Sequence, residues 1–102
     1  MRGSILSITV IVEFNPKPEC SDTLKDFLAD ALPDTRAYDG CISLDTYNNS
    51  DSDGNIVLIV KWESREHQER YLAWRVEQGA FDKLGEMLAS EVSIRYFEKT
   101  AI

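Results

Sequence analysis

Between Ile5 and Phe14 apolar and polar residues alternate with a period of two. Leu6, Ile8, Val10, Val12 and Phe14 fall on one face, and Ser7, Thr9 and Glu13 make the other more polar. That pattern predicts a strand packed on helices by one face. Asn15-Pro16-Lys17-Pro18 ends it. Leu24, Phe27, Leu28, Ala31 and Leu32 then recur at i, i+3, i+4, i+7 and i+8, the stripe of an amphipathic helix with Ser21 or Asp22 as its cap. Pro33 is expected to interrupt this helix and to open a short second piece, Asp34 to Tyr38, which Asp39-Gly40 ends.

Cys41 to Tyr47 predicts a second strand, and the polar loop Asn48 to Asn55 leads to a third, Ile56 to Trp62, apolar on both faces up to Val60. A strand of that kind must be covered twice. Ser64 is placed to cap the next helix, and Gly79 to separate it from a shorter one whose stripe is Phe81, Leu84, Met87 and Leu88. Val92 to Glu98 closes the chain as a strand. The order is βαββαβ with an extra helix in the second half. Right-handed crossovers applied to it predict an α+β, ferredoxin-like split sheet with the first and third strands central. Helices cover one face of such a sheet. Val57 and Ile59 on the other face then predict a homodimer, sheet against sheet.

At 102 residues the chain is expected to form one domain, 1–102. Its 11 Lys plus Arg against 18 Asp plus Glu give a formal charge of -7, with no basic block, which argues against nucleic acid or an anionic membrane as partner. No segment reaches the roughly 20 apolar residues of a membrane span, and Met1-Arg2-Gly3-Ser4 leads into a strand rather than a signal peptide, so a cytoplasmic protein is expected. Cys20 and Cys41 form no Cys-x-x-Cys pair and are expected as free thiols. One histidine is too few for a zinc or non-haem iron site, so no metal is expected. Asn49-Ser50-Asp51-Ser52-Asp53-Gly54 imitates half a calcium loop, but Val60 stands where a bidentate Glu belongs. Loop chemistry explains it better. Asn48-Asn49-Ser50 spells a glycosylation site that a cytoplasmic protein leaves idle. No Gly-x-Ser-x-Gly turn or phosphate-cradling glycine cluster is present.

Chemistry concentrates between Lys61 and Arg75. Trp62 ends the most apolar run of the chain, and His67, Tyr71 and Trp74 follow at i, i+4 and i+7 on one helical face. An imidazole, a phenol and an indole together suit a pocket for a flat aromatic ligand. Ordinary core packing accounts for the same spacing. His67 is the side chain whose ordinary pKa permits general base chemistry near neutrality, and it equally fits a solvated first turn. Arg75 either clamps an anionic substrate or pairs with a carboxylate such as Glu77.

Thr35-Arg36-Ala37-Tyr38-Asp39-Gly40-Cys41 before the second strand, Val60-Lys61-Trp62-Glu63-Ser64 at the end of the third, and Tyr71-Leu72-Ala73-Trp74-Arg75 followed by Phe81 resemble antibiotic biosynthesis monooxygenase domains over nearly the whole chain. The resemblance implies a dimeric α+β barrel with a pocket between the sheet and helices of each subunit. It also implies oxidation by O2, without a cofactor, of an electron-rich phenol, quinol or anthrone. The protein's task would be to remove a proton and stabilise the anion in a dry pocket. His67 and Tyr71 become the catalytic candidates, and Trp62, Trp74, Arg75, Arg36 and Tyr96 the substrate-binding ones.

The chain departs from its relatives in places. Quinol-oxidising members often carry a histidine where this chain has Tyr71. Haem-degrading members place a Trp there, an Asn in the first strand and a further His; here the strand reads Val10-Ile11-Val12-Glu13 and no His follows His67, so haem degradation is not expected. The rivals to a monooxygenase are a non-catalytic small-molecule-binding or stress-responsive dimer on the same fold, and an isomerase or cleaving enzyme for a reactive metabolite.

Overall fold

A computed structural model describes residues 7–102. Ile5 and Leu6 of the expected first strand lie outside the described residues. From Ile8 the alternation forms β1 (Ile8–Phe14), and the chain continues as α1 (Ser21–Ala37), β2 (Cys41–Asn48), β3 (Ile56–Trp62), α2 (Arg65–Glu77), α3 (Ala80–Met87) and β4 (Ser93–Phe97). The strands pair antiparallel in the order β2-β3-β1-β4, a ferredoxin-like α+β sheet with β1 and β3 in the centre.

Alternation decides which face is core. Ile8, Val10 and Phe14 from β1, Leu44 from β2, and Ile56, Leu58, Val60 and Trp62 from β3 are buried together with Leu24, Leu28 and Leu32 of α1 and Leu84 and Met87 of α3. Each such side chain contributes about 1.5–3 kcal/mol by leaving water. The opposite face of β3 is open, with Val57 partly exposed and Ile59 36% exposed. Across it Ile59 stands between Asp45 and Ile11, and Val57 between Tyr47 and Glu13.

Two local expectations are corrected. Pro33 lies inside one continuous α1 rather than between two helical pieces. It removes one backbone donor, but Leu24, Leu28, Leu32 and Thr35 are buried on a single stripe that crosses it, and this packing holds the helix together. The start of α1 is not capped by Ser21 or Asp22. A 3-10 turn, Pro18–Cys20, runs straight into it, and Cys20 occupies the cap position without a side-chain bond.

Other local signals are met. The Ser64 hydroxyl accepts from the His67 backbone N–H at 3.2 Å and caps α2. Gly79, at φ 76°, separates α2 from α3. The 48–55 loop is tied by Asn49, whose backbone N–H donates to Asn55 O at 3.0 Å and whose side chain accepts from Asp51 N–H at 2.9 Å. This is the local carbonyl and amide chemistry expected of such a loop. Among the described residues no helix is long and apolar enough to cross a membrane.

Candidate functional site

The end of β3 and the Ser64 cap set how α2 meets the sheet. Trp62, 2% exposed, fixes the last strand position inside, and one turn later α2 presents Gln68, Tyr71, Leu72 and Arg75 inward. These positions follow i, i+3, i+4 and i+7, so they share one face. With the inner face of the sheet and with Phe27, Leu28 and Thr35 of α1 they enclose a cavity of about 80 Å³. Phe81 and Leu84 of α3 close its far side. The walls are apolar except at Thr35, Gln68, Tyr71, Arg75 and the indole of Trp62. A cavity of roughly 150 Å³ takes up benzene. Here a ring enters only as the wall gives, and α3 is the wall joined through Gly79.

Tyr71 is the centre of the polar edge. Its hydroxyl lies 2.6 Å from the Thr35 hydroxyl and accepts from Arg75 Nε at 2.8 Å. Arg75 Nη2 also donates to Ala31 O at 2.7 Å and to Thr35 Oγ1 at 3.0 Å. Thr35 is 3% exposed. Arg75 forms no ion pair among the described residues, so it does not pair with Glu77. A guanidinium held by neutral oxygens at the rim of an apolar cavity keeps its charge available to an anion.

Around this edge the aromatic rings form a cluster. Tyr71 lies 5.2 Å from Trp62, 5.3 Å from Tyr38 and 6.0 Å from Trp74 between ring centroids. Trp74 stacks on the other side, 5.1 Å from Tyr38 and under the Arg75 guanidinium at 4.7 Å, and does not line the cavity.

His67 stands apart from the cavity as well. Its Nδ1 is 2.7 Å from the Ser64 hydroxyl and its Nε2 is 3.9 Å from the exposed Asp39 carboxylate. Its ring packs on Gly40, whose φ is 90° and where an added Cβ would come within 2.4 Å of the ring. Arg36 reaches the Leu44 carbonyl from Nη2 at 3.3 Å and ties α1 to β2. Tyr96 donates its hydroxyl to Gln68 Oε1 at 2.9 Å, with Arg65 over its ring at 3.8 Å. Of the seven candidates read from the sequence, Trp62, Tyr71 and Arg75 meet at the cavity. Thr35, Tyr38 and Gln68 belong to the same neighbourhood and were not among those candidates. The 68, 71, 72, 75 spacing is the signal that could have found Gln68.

Burial pushes the Cys41 thiol up, against a smaller opposing pull from Arg36, so Cys41 is neutral. Among the described residues no three His, Cys, Asp or Glu side chains gather as metal ligands.

The family model for antibiotic biosynthesis monooxygenase matches residues 7–75. Rv0793 of Mycobacterium tuberculosis is 33% identical over 93 residues, covering 85% of either chain. Its solved structure superposes with a TM-score of 0.76 at 28% identity, over 94% of this chain and 97% of that one. A conserved protein from Methanosarcina mazei Go1 has the same fold, with a TM-score of 0.86 at 20% identity over 97% and 98% of the two chains. A solved antibiotic biosynthesis monooxygenase superposes at 0.82 and 17% identity, over 91% and 98%. With the family match spanning three of the four strands, α1 and most of α2, this chain belongs to the antibiotic biosynthesis monooxygenase family.

Proposed function

We propose that this protein is a cofactor-independent monooxygenase that oxidises a small aromatic phenol or quinol with O2, working as a cytoplasmic homodimer. The observation that carries the reading is the apolar cavity edged by Tyr71, Thr35 and an Arg75 without a carboxylate partner. Such an edge favours the deprotonated form of a ligand oxygen, and the anion is the form that passes an electron to O2. For a quinol the balance closes: one oxygen atom enters the ring, the other leaves as water, and the substrate supplies all four electrons. In this reading Tyr71 donates to the developing oxyanion, Arg75 supplies the charge and Trp62 forms the flat wall. Trp74 packs behind Tyr71 and Tyr38, Arg36 ties α1 to β2, and Tyr96 holds Gln68 from β4. His67, hydrogen-bonded to Ser64 and outside the cavity, takes the proton through solvent.

A second reading, a ligand-binding dimer without turnover, is favoured by that same placement of His67. Oxygen uptake by metal-free protein separates the two. Single-ring hydroquinones are expected to consume O2 in proportion to enzyme, with one labelled oxygen atom from ¹⁸O2 in the product. Saturable quinol binding with no uptake above the uncatalysed rate would establish the second reading instead.

A further inference from the structure

Gln68 is 2% exposed, yet half of its carboxamide has no partner among the described residues. Its Oε1 accepts from the Tyr96 hydroxyl at 2.9 Å. Its Nε2 carries two N–H groups and donates to nothing among the described residues. A polar residue this deep normally has its donors matched, because an unmatched buried donor is expensive. Among the described residues no polar side-chain atom is sealed in protein without a partner, so this nitrogen opens onto space. Gln68 lines the cavity, and that is the space in question. The orientation of the amide follows from chemistry: a phenol is a better donor than acceptor, and the amide oxygen is the stronger acceptor of the two ends. Trp62, equally buried and also on the cavity wall, has an indole N–H with no acceptor among the described residues.

We infer that Gln68 is the residue that reads a ligand oxygen, donating from Nε2 to a carbonyl or oxyanion on a ring held in the cavity. Tyr96 is its positioning residue: by holding Oε1 from β4 it keeps the N–H groups turned inward. Ligands that place an acceptor oxygen against this amide are selected over hydrocarbons of the same shape. The assignment rests on the cavity being the ligand site of the proposed function, and it does not depend on turnover.

Acetophenone and α-methylstyrene test it, since one has C=O where the other has C=CH2. In amide-resolved NMR spectra of the wild-type protein, acetophenone is expected to move the Gln68 side-chain NH2 pair downfield, and α-methylstyrene to leave it in place. The ratio of the two dissociation constants should shift toward the hydrocarbon by roughly tenfold in Gln68→Met, the loss of about one buried hydrogen bond. Tyr96→Phe keeps the amide but frees it, and should give a smaller shift in the same direction. The inference is overturned if cavity methyl resonances respond to acetophenone while the Gln68 pair does not, if the ratio is unchanged in Gln68→Met, or if neither probe perturbs the cavity. Failure of the oxidation reading alone would show as absent O2 uptake with these binding results intact.

Discussion

Tyr71→Phe removes a single oxygen, and the geometry around it sets the cost. The hydroxyl accepts from Arg75 Nε at 2.8 Å and lies 2.6 Å from Thr35 Oγ1. Arg75 is half-buried and recovers part of its loss from water. Thr35 does not, being 3% exposed, although it keeps its 3.0 Å bond from Arg75 Nη2 and its own 3.4 Å bond to Ala31 O. One buried group left short of a partner costs about 1–3 kcal/mol, and the two retained bonds place this case near the lower half, about 1–2 kcal/mol. For a domain of this size that lowers Tm by roughly 5–15 °C. Urea unfolding followed by tryptophan fluorescence at fixed protein concentration measures it, because Trp62 lies 5.2 Å from the Tyr71 ring. A stability loss therefore does not argue against a role in chemistry, and a cycle with Thr35→Val separates the two. The double variant removes both hydroxyls, so coupling of about 0.5–3 kcal/mol should restore part of the stability. Turnover on a confirmed substrate should stay low, by about 10²-fold or more, if the hydroxyl serves an oxyanion. Additive stability effects with Tyr71→Phe costing less than about 0.3 kcal/mol would refute the network. Full turnover in the variant would refute the donor role.

Three further outcomes are expected. Val57→Lys places a charge on the open sheet face and should convert a wild-type dimer to monomer or aggregate in light scattering; a monomeric wild type at micromolar concentration would remove the dimer from the proposal. Gly40→Ala forces a side chain into φ 90° and against the His67 ring, for a loss of about 1–3 kcal/mol in urea unfolding. Adding His67→Ala should recover the steric part only, and an unchanged stability in Gly40→Ala would contradict the packing. Cys41, its thiol pushed up by burial, should alkylate more slowly in the folded protein than in urea, and its native rate should rise with pH beyond the range in which the unfolded thiol has levelled off. Coincident pH profiles by mass spectrometry would show the thiol unperturbed.

Elements whose signal is local were legible in the chain alone. The alternation of β1, the two-sided apolarity of β3, the Ser64 cap and the Gly79 break each depend on a few neighbouring residues, and right-handed crossovers applied to the βαββαβ order put β1 and β3 in the centre of the sheet. Pro33 shows the limit of that logic. A local rule ends the helix there, and burial of Leu32 and Thr35 on the same stripe overrides it.

The site divides along the same line. Periodicity established that Tyr71 shares a helical face with other chemistry-bearing residues, but two overlapping faces contain it, one through His67 and Trp74 and one through Gln68 and Arg75. Sequence spacing is indifferent to which of them turns inward. Packing decides, because the Ser64 bond and Gly40 hold His67 at the helix end while Tyr96 from β4 and Thr35 from α1 supply partners for Gln68 and Arg75. The inward face is half polar, so it leaves no apolar stripe to read. Its partners lie 28 and 40 residues away along the chain, and only the folded sheet and helices bring them within hydrogen-bond reach.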